Sequence, residues 1–397
     1  MIVTITGWGL ATPLGLNAPE TWKNLLAGRH IVDHARVPIH PIPGQARVSQ
    51  LASIAAREAI SQCGWSNEIL RDDHTALLIG TSKGPVEEWL TPSQGNTAAI
   101  KAGTNEFAAY GLAQIAATLA ADLQLGFGPR LTLSAACASG LHALIRATLM
   151  LQSGEAKRAL VVAVESSLHP LFIGCFKRLG VLPKPGVGCR PFDRQRDGFL
   201  MSESAAAICL EAVDDPMSIP AKLRVERFAF GGAAGHLTAG DADGAVLQHL
   251  LHRVIDGRPL DLIHAHGTGT RVNDPVELAA LETVLDWRAA VPFRRGGRGR
   301  PPSRIHSRSR PVLDRPILYS HKGALGHSLG AAGLVAIVLN CLMHSHGQIP
   351  PNGMTTDPLP TTRLILSNEA IARPIHRSLV SASGFGGPTA VVSLVTI

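Results

Sequence analysis

Apolar residues fall along this chain in short alternating runs, set between longer stretches with helical spacing. Ile2 to Thr6, Thr75 to Ile79, Arg130 to Ala135, Ala159 to Glu165 and Ala205 to Glu211 each read as a strand. So do Arg224 to Gly231, Leu260 to Ala265, Ile317 to Ser320, Leu364 to Ser367, Leu379 to Ser383 and Thr389 to Thr396. Helical spacing marks Ala18 to Gly28, Leu51 to Cys63, Ala108 to Leu123, Ala245 to Ile255, Glu277 to Leu285 and Gly330 to Leu342. Leu141, Leu144, Ile145, Thr148 and Leu149 form one face of a further helix, which Gly154 ends. Strands alternating with helices predict an α/β protein. The two halves keep a similar rhythm, as a duplicated domain would. Gly7-Trp8-Gly9 reads as a turn, residues 91–105 as a polar loop, and Phe172 to Pro185 as a loop suited to lining an apolar pocket. Gly80-Thr-Ser-Lys-Gly84 invites comparison with a phosphate cradle, but its glycine spacing fits no nucleotide motif and it reads as a loop.

Composition narrows the choice. An apolar share of 45% with 17% charged residues describes a globular chain able to bury a large core, and 397 residues suffice for two domains or one large duplicated one. Six scattered cysteines, without CxxC or CxxxC spacing, speak against zinc and against a disulfide framework; they suit a reducing, cytoplasmic compartment. Met1 to Gly7 starts as a strand, with neither the basic region nor the cleavage site of a signal peptide. No apolar run approaches the ~20 residues of a membrane span. The net charge of +7 is more than accounted for by residues 288–315, which hold nine arginines and one acid, Asp314. That Arg/Gly/Pro/Ser-rich segment is expected to be a flexible, solvated insertion. The rest is close to neutral, so a nucleic-acid partner is not expected.

Four stretches carry candidate chemistry. In Leu131-Thr-Leu-Ser-Ala-Ala-Cys137-Ala-Ser-Gly140 a strand gives way to a helix, and Cys137 sits close to the helix N-terminus. Free N–H groups and the helix dipole favour a thiolate there, and the small neighbours leave room for an acyl group. A buried structural cysteine is the alternative. In Ala265-His266-Gly-Thr268-Gly-Thr270-Arg-Val-Asn-Asp274-Pro-Val-Glu277 a strand delivers a histidine into a Gly/Thr-rich loop. In Ser320-His-Lys322-Gly-Ala-Leu-Gly-His327-Ser-Leu-Gly a lysine and a histidine precede an Ala/Gly-rich helix. Ser383-Gly384-Phe385-Gly386-Gly387 offers backbone N–H groups to an oxyanion. The charged run Cys189 to Phe199 reads as a turn held by ion pairs.

In this order and spacing, the motifs resemble the β-ketoacyl-acyl carrier protein synthases, the elongating condensing enzymes of the thiolase-like superfamily. The match runs from Ile2 to Ile397, apart from the Arg-rich segment. The resemblance implies a thiolase-like αβαβα five-layer fold from two duplicated halves: 1–223 carries the nucleophile Cys137, and 224–397 carries His266 and His327. It makes Lys322 the active-site lysine and Phe385 the gate. Backbone N–H groups of Cys137 and Phe385 would form the oxyanion hole. Thr268 and Thr270 would contact the pantetheine arm, and Asp274 and Glu277 would supply the polar network around the lysine. The implied reaction is a decarboxylative Claisen condensation of an acyl thioester on Cys137 with malonyl-acyl carrier protein. His266 and His327 would donate from Nε2 to the enolate, and no metal or organic cofactor is called for. The implied partners are an acyl carrier protein and a second subunit, as a homodimer or a ketosynthase heterodimer.

Three departures point toward a specialised synthase rather than the housekeeping fatty-acid enzyme. The glutamate that the family commonly carries in the helix beyond the lysine is Ala336 here. Pro388-Thr389 replaces Thr-Asn after the Gly-Phe-Gly-Gly loop, and the Arg-rich segment replaces a short connection. A thiolase would need a second cysteine where Ser383 and Gly384 stand, and an initiating condensing enzyme an asparagine where His327 stands. A non-elongating partner subunit would lack Cys137. A cysteine hydrolase is the remaining alternative on residue types.

Overall fold

The computed structural model describes residues 1–90, 111–215, 223–235, 241, 243–290 (287–290 as backbone) and 315–397. Its strands are β1 (Ile2–Ala11), β2 (Thr75–Gly80), β3 (Arg130–Leu133), β4 (Arg158–Glu165), β5 (Ser204–Val213), β6 (Leu223–Gly232), β7 (Leu262–His264), β8 (Ile317–Tyr319), β9 (Gln348–Ile349), β10 (Ile371–Ala372), β11 (Arg377–Ser383) and β12 (Pro388–Thr396). Its helices are α1 (Ala18–Leu26), α2 (Arg47–Cys63), α3 (Asn67–Arg71), α4 (Val86–Leu90), α5 (Gln114–Asp122), α6 (Ser139–Gln152), α7 (Pro170–Arg178), α8 (Ala245–Ile255), α9 (Asn273–Ala290), α10 (Lys322–Leu325) and α11 (Ala332–His346).

Ten strands pair in the order β3-β2-β4-β5-β1-β6-β12-β11-β7-β8, and β9 pairs with β10 apart from them. Outward from the β1–β6 junction the two halves repeat each other. The first two pairings are antiparallel on each side: β1–β5 and β5–β4, then β6–β12 and β12–β11. The next two are parallel on each side: β4–β2–β3, then β11–β7–β8. The duplication expected from sequence rhythm is therefore present in strand order and direction.

Alternation along the strands sets the layers, because successive side chains point to opposite faces. In β4, Ala159, Val161 and Ala163 join a core with α6 and α11, while Leu160, Val162 and Val164 join a core with α2 and α5. In the second half, Leu262, Ile317 and Val380 face α6 and α11, while Ile263, Leu318 and Leu379 face α8 and α9. The result is helix, sheet, helix, sheet, helix. Every residue of α11 from Ala332 to Met343 is buried, as a helix sandwiched between the two halves of the sheet requires.

The central helices meet at glycines. A Cβ on Gly140 would lie 2.9 Å from Leu334 N, and one on Gly333 would lie 2.8 Å from Leu141 Cγ. Both glycines stand at the N-terminal ends of their helices, so the close crossing draws together the turns that precede α6 and α11.

Several expectations change. Gly7 and Gly9 lie within β1, not in a turn. The backbone of α2 presses on that strand, so a Cβ on Gly7 would meet Ala59 O and lie 2.8 Å from Cys63 Cβ. Much of the run expected as a loop from Phe172 to Pro185 is α7, started by His169, whose Nδ1 accepts from Leu171 N at 3.2 Å. Leu364 to Ser367 forms no strand; Ile365 alone bridges Ile317. The helix expected from Ala108 is described only as α5. Leu329–His346 is long and apolar enough to cross a membrane by composition, a run the sequence reading passed over, yet 83% of it is buried within the fold. The polar loop 91–105 and most of the Arg-rich segment 288–315 lie outside the described residues.

Candidate active site

β2, β3 and β4 run parallel to one another, as do β7, β8 and β11. In such sheets ligands gather beyond the carboxyl ends of the strands, and the sequence motifs stand there. Lys83 follows β2, Cys137 follows β3 and Glu165 ends β4. His266 follows β7, Lys322 and His327 follow β8, and Phe385 follows β11.

Cys137 is buried one residue before the Ala138 cap of α6. The turn is tight. Ala136 adopts φ +48°, a left-handed value that costs a non-glycine residue energy and recurs beside reactive groups. Ser139 Oγ holds the turn, accepting from Ala135 N at 2.9 Å and donating to Ala136 O at 2.6 Å. Gly384 packs on it; a Cβ there would lie 2.9 Å from Ala136 Cβ and 3.1 Å from Cys137 N. Only glycine at 384 lets the Phe385 loop close over the nucleophile. The expectation of a thiolate favoured by the helix end needs correction. Burial pushes the thiol up to about 11, although Lys83, Lys322 and the Phe385 N–H pull it down. The cysteine is a thiol at neutral pH.

His266 and His327 face one another, with ring centroids 5.4 Å apart at 81°. The His327 ring is wedged edge-on to Phe199 at 4.9 Å, and its backbone N–H donates to Leu200 O at 2.7 Å. Burial, reinforced by the Lys322 charge, holds both imidazoles well below their usual range, so both are neutral at pH 7. Their Nδ1 atoms are buried with no hydrogen-bond partner among the described residues. An orphaned buried N–H is rarer than an orphaned acceptor, which favours the proton on Nε2.

Lys322 is buried, and burial lowers it to about 8, with Glu277 and Cys137 opposing. Its Nζ donates to the His266 carbonyl rather than to a carboxylate. Asp274 and Glu277, expected around the lysine, chiefly organise the His266 loop. Glu277 accepts from His266 N and Gly267 N at 2.8 Å each and from Ser381 Oγ at 2.8 Å. Asp274 accepts from Thr268 N and Gly269 N at 3.1 Å and from Phe192 N at 2.7 Å. Burial pushes Asp274 up to about 6 despite those donors. The charged run before Phe199 is a turn of this kind. Buried Asp193 accepts from Thr356 N and Asp357 N, and Arg271 pairs with Asp197 at 2.7 Å.

Cys137, His266, His327, Phe385, Thr268 and Thr270 line one cavity of about 440 Å³, closed on another side by Leu179 to Val181. Thr268 and Thr270 share a hydrogen bond of 3.0 Å between their hydroxyls.

Sequence reasoning missed a buried chain behind the site. With Asn340 Oδ1 accepting at 2.7 Å, His264 carries its proton on Nδ1. Its Nε2 then accepts from His321 Nδ1 at 2.8 Å, which leaves His321 Nε2 bare. Burial lowers His264 to about 3. His264 lies in the strand read from Leu260 to Ala265, two residues before His266, and His321 lies in the lysine motif, one before Lys322. Glu165 was also missed. It accepts from Ser82 N, Ser82 Oγ, Ser167 Oγ and Gly330 N, and so ties the loop after β2 to the turn before α11.

The family model for the β-ketoacyl synthase N-terminal domain matches residues 44–215, and that for the C-terminal domain matches 228–293 and 303–355. The chain belongs to the β-ketoacyl synthase family. A tetracenomycin polyketide synthase ketoacyl synthase alpha subunit from Streptomyces glaucescens is 29% identical to this β-ketoacyl synthase over 97% of the chain and 95% of that protein. A mitochondrial 3-oxoacyl-[acyl-carrier-protein] synthase from Arabidopsis thaliana is 26% identical over 100% and 93%. Among solved structures, the ishigamide ketosynthase/chain length factor matches with a TM-score of 0.81 at 25% identity, over 100% of this chain and 99% of that one. The five layers seen here are thus the thiolase-like fold of ketosynthases.

Proposed function

We propose that this chain catalyses the decarboxylative condensation of an acyl group held on Cys137 with a malonyl thioester. The observation that carries the reading is the shared cavity: a nucleophile from the first half opens onto two neutral imidazoles from the second. In the first step the Cys137 sulfur takes the acyl group, and its proton ends on the departing pantetheine thiol. The N–H groups of Cys137 and Phe385 hold the oxyanion. In the second step the malonyl carboxylate leaves as carbon dioxide, and its bonding pair forms an enolate whose oxygen accepts from His266 and His327. The enolate carbon attacks the acyl carbon, and Cys137 leaves as thiolate and is reprotonated. Loss of carbon dioxide drives the sequence, which calls for no metal or organic cofactor. Lys322 holds the His266 carbonyl and keeps the imidazoles neutral.

The substrates are proposed to arrive on an acyl carrier protein, as the name of the Arabidopsis relative indicates for that enzyme. β3 pairs with β2 alone among the described strands and stands at one end of the ten-stranded order. That free edge suits pairing with a second copy or with a ketosynthase partner chain, and a ketosynthase/chain length factor is among the solved structures this chain resembles. The test is incubation of the purified protein with acyl- and malonyl-acyl carrier protein. A β-ketoacyl product two carbons longer, with carbon dioxide release, supports the proposal. Release of free acid marks a hydrolase, and no acylation of Cys137 marks a non-elongating subunit.

A further inference from the structure

The loop Gly80–Gly84 plays no part in the steps above, yet it places a cation beside them. Lys83 Nζ stands 5.3 Å from the centre of the Phe172 ring and 5.5 Å from that of Phe176. Ser82 Oγ, 3.2 Å away, takes one of its three N–H donors. Glu165, which ends β4 and binds this loop, is occupied by Ser82, Ser167 and Gly330. Lys83 makes no ion pair among the described residues, a contrast with the many paired arginines of the surface.

Phe172 and Phe176 belong to the apolar cluster that contains Cys137, Phe199 and Phe385, and the rings of Phe176 and Phe385 lie 6.1 Å apart. The ammonium is also close enough to Cys137 and His327 to act on both through its charge. An acyl chain running from Cys137 along this aromatic wall would meet a positive charge held by two ring faces and the Ser82 hydroxyl. A saturated chain would strip water from that charge and return nothing. A chain bearing an oxygen acceptor would return a charge-assisted hydrogen bond.

Building on the proposed condensation, we infer that Lys83 sets acyl selectivity: the site accepts acyl groups that bring a keto or carboxylate oxygen to the Phe172–Phe176 wall, and disfavours saturated chains of equal length. The test measures acylation of Cys137, by mass spectrometry of the intact protein, from N-acetylcysteamine thioesters of hexanoate, 5-oxohexanoate and adipate. The wild type should take the two oxygenated groups with kcat/KM about tenfold or more above hexanoyl, the size of one hydrogen bond to a charged group. Lys83→Met should bring the ratios near one, and Lys83→Arg, which keeps the charge and stacks on aromatic faces, should restore them. Melting curves of both variants should match the wild type. A wild-type ratio near one overturns the inference. So does a Lys83→Met variant that slows all three thioesters equally, since that marks a residue serving only the thiolate. Failure of every thioester to acylate Cys137 overturns the condensing reading itself, and the inference with it.

Discussion

The two halves of the sheet share strand order and direction but differ in what their loops carry. The connection from β3 to α6 and the connection from β8 to α11 occupy equivalent places, and each leads into a central helix. In the first half it spans only residues 134–138, a turn tight enough to force Ala136 into a left-handed conformation and press Cys137 against the helix N-terminus. In the second half it spans residues 320–331, long enough to bury Lys322 and His327 and to lean on the His264–His321–Asn340 chain. The loops after β2 and β7 differ likewise: one carries a cation over aromatic rings, the other a neutral imidazole on a backbone whose N–H donates to Glu277. Duplication supplied one platform twice, and loop length decides which copy presents a nucleophile and which presents donors.

That division of labour can be broken one half at a time. Cys137→Ala should abolish condensation with the melting temperature preserved, since alanine fits among Ala135, Ala136 and Ala138. More than a few per cent of product from the purified variant would remove the nucleophile from the first half. His266→Ala and His327→Ala should act differently. Each should still load acyl groups on Cys137, detectable as an intact-mass shift, while carbon dioxide release from malonyl carrier falls on the order of 10² to 10³, the usual cost of a lost oxyanion donor. Normal decarboxylation by both variants would mean that the second half supplies no donors.

The contact between the halves is tested by glycine. Gly140→Ala pushes a Cβ to 2.9 Å from Leu334 N, whereas Gly7→Ala meets α2 in an outer layer. Both should lower the melting temperature, at a cost of about 1–3 kcal/mol from overpacking. Only Gly140→Ala should also lower kcat/KM, by about tenfold or more, because it shifts Cys137 relative to His327 and small misplacements are costly. Equal loss of specific activity in the two variants would show that the helix crossing does not set the alignment.

Legibility in the sequence followed the same divide. Cys137, His266, His327 and Phe385 were readable because each stands in a Gly-rich loop just past an apolar run, and such loops have few structural uses. The sheet was readable from period-two runs, and its duplication from rhythm. Gly7 and Gly9 misled because a glycine that admits a helix backbone looks, in sequence, like one that makes a turn. α7 was missed because its Gly, Phe and Leu content hides a helix started by a capping His169 and Pro170. Asp274 and Glu277 act on the Lys322 charge as expected, but a carboxylate in a motif does not reveal that it also gathers a row of backbone N–H groups, as both do in the His266 loop. The thiol of Cys137 was misjudged for a related reason: a helix N-terminus can be read from sequence, while full burial around it cannot.

That last point carries its own test, the smallest in effect. With its thiol near 11, Cys137 should react with iodoacetamide about tenfold faster for each pH unit above 7, because the thiolate fraction rises tenfold per unit below the pKa. Peptide-resolved mass spectrometry separates it from the other cysteines. Lys322 modulates this. Below about 8 it is a cation and draws the thiol pKa down; above about 8 it loses its proton and that pull is lost. The thiol pKa therefore climbs as pH passes 8, and the rate should rise less than tenfold between pH 8 and 9, a few-fold shortfall. In Lys322→Met the charge is absent throughout. Its rates should be lower below pH 8, the shortfall should vanish, and the slope should stay near tenfold. A wild-type rate that levels off by pH 7 would reverse the assignment, showing that the helix end and the Phe385 N–H outweigh burial and that the first half holds a standing thiolate.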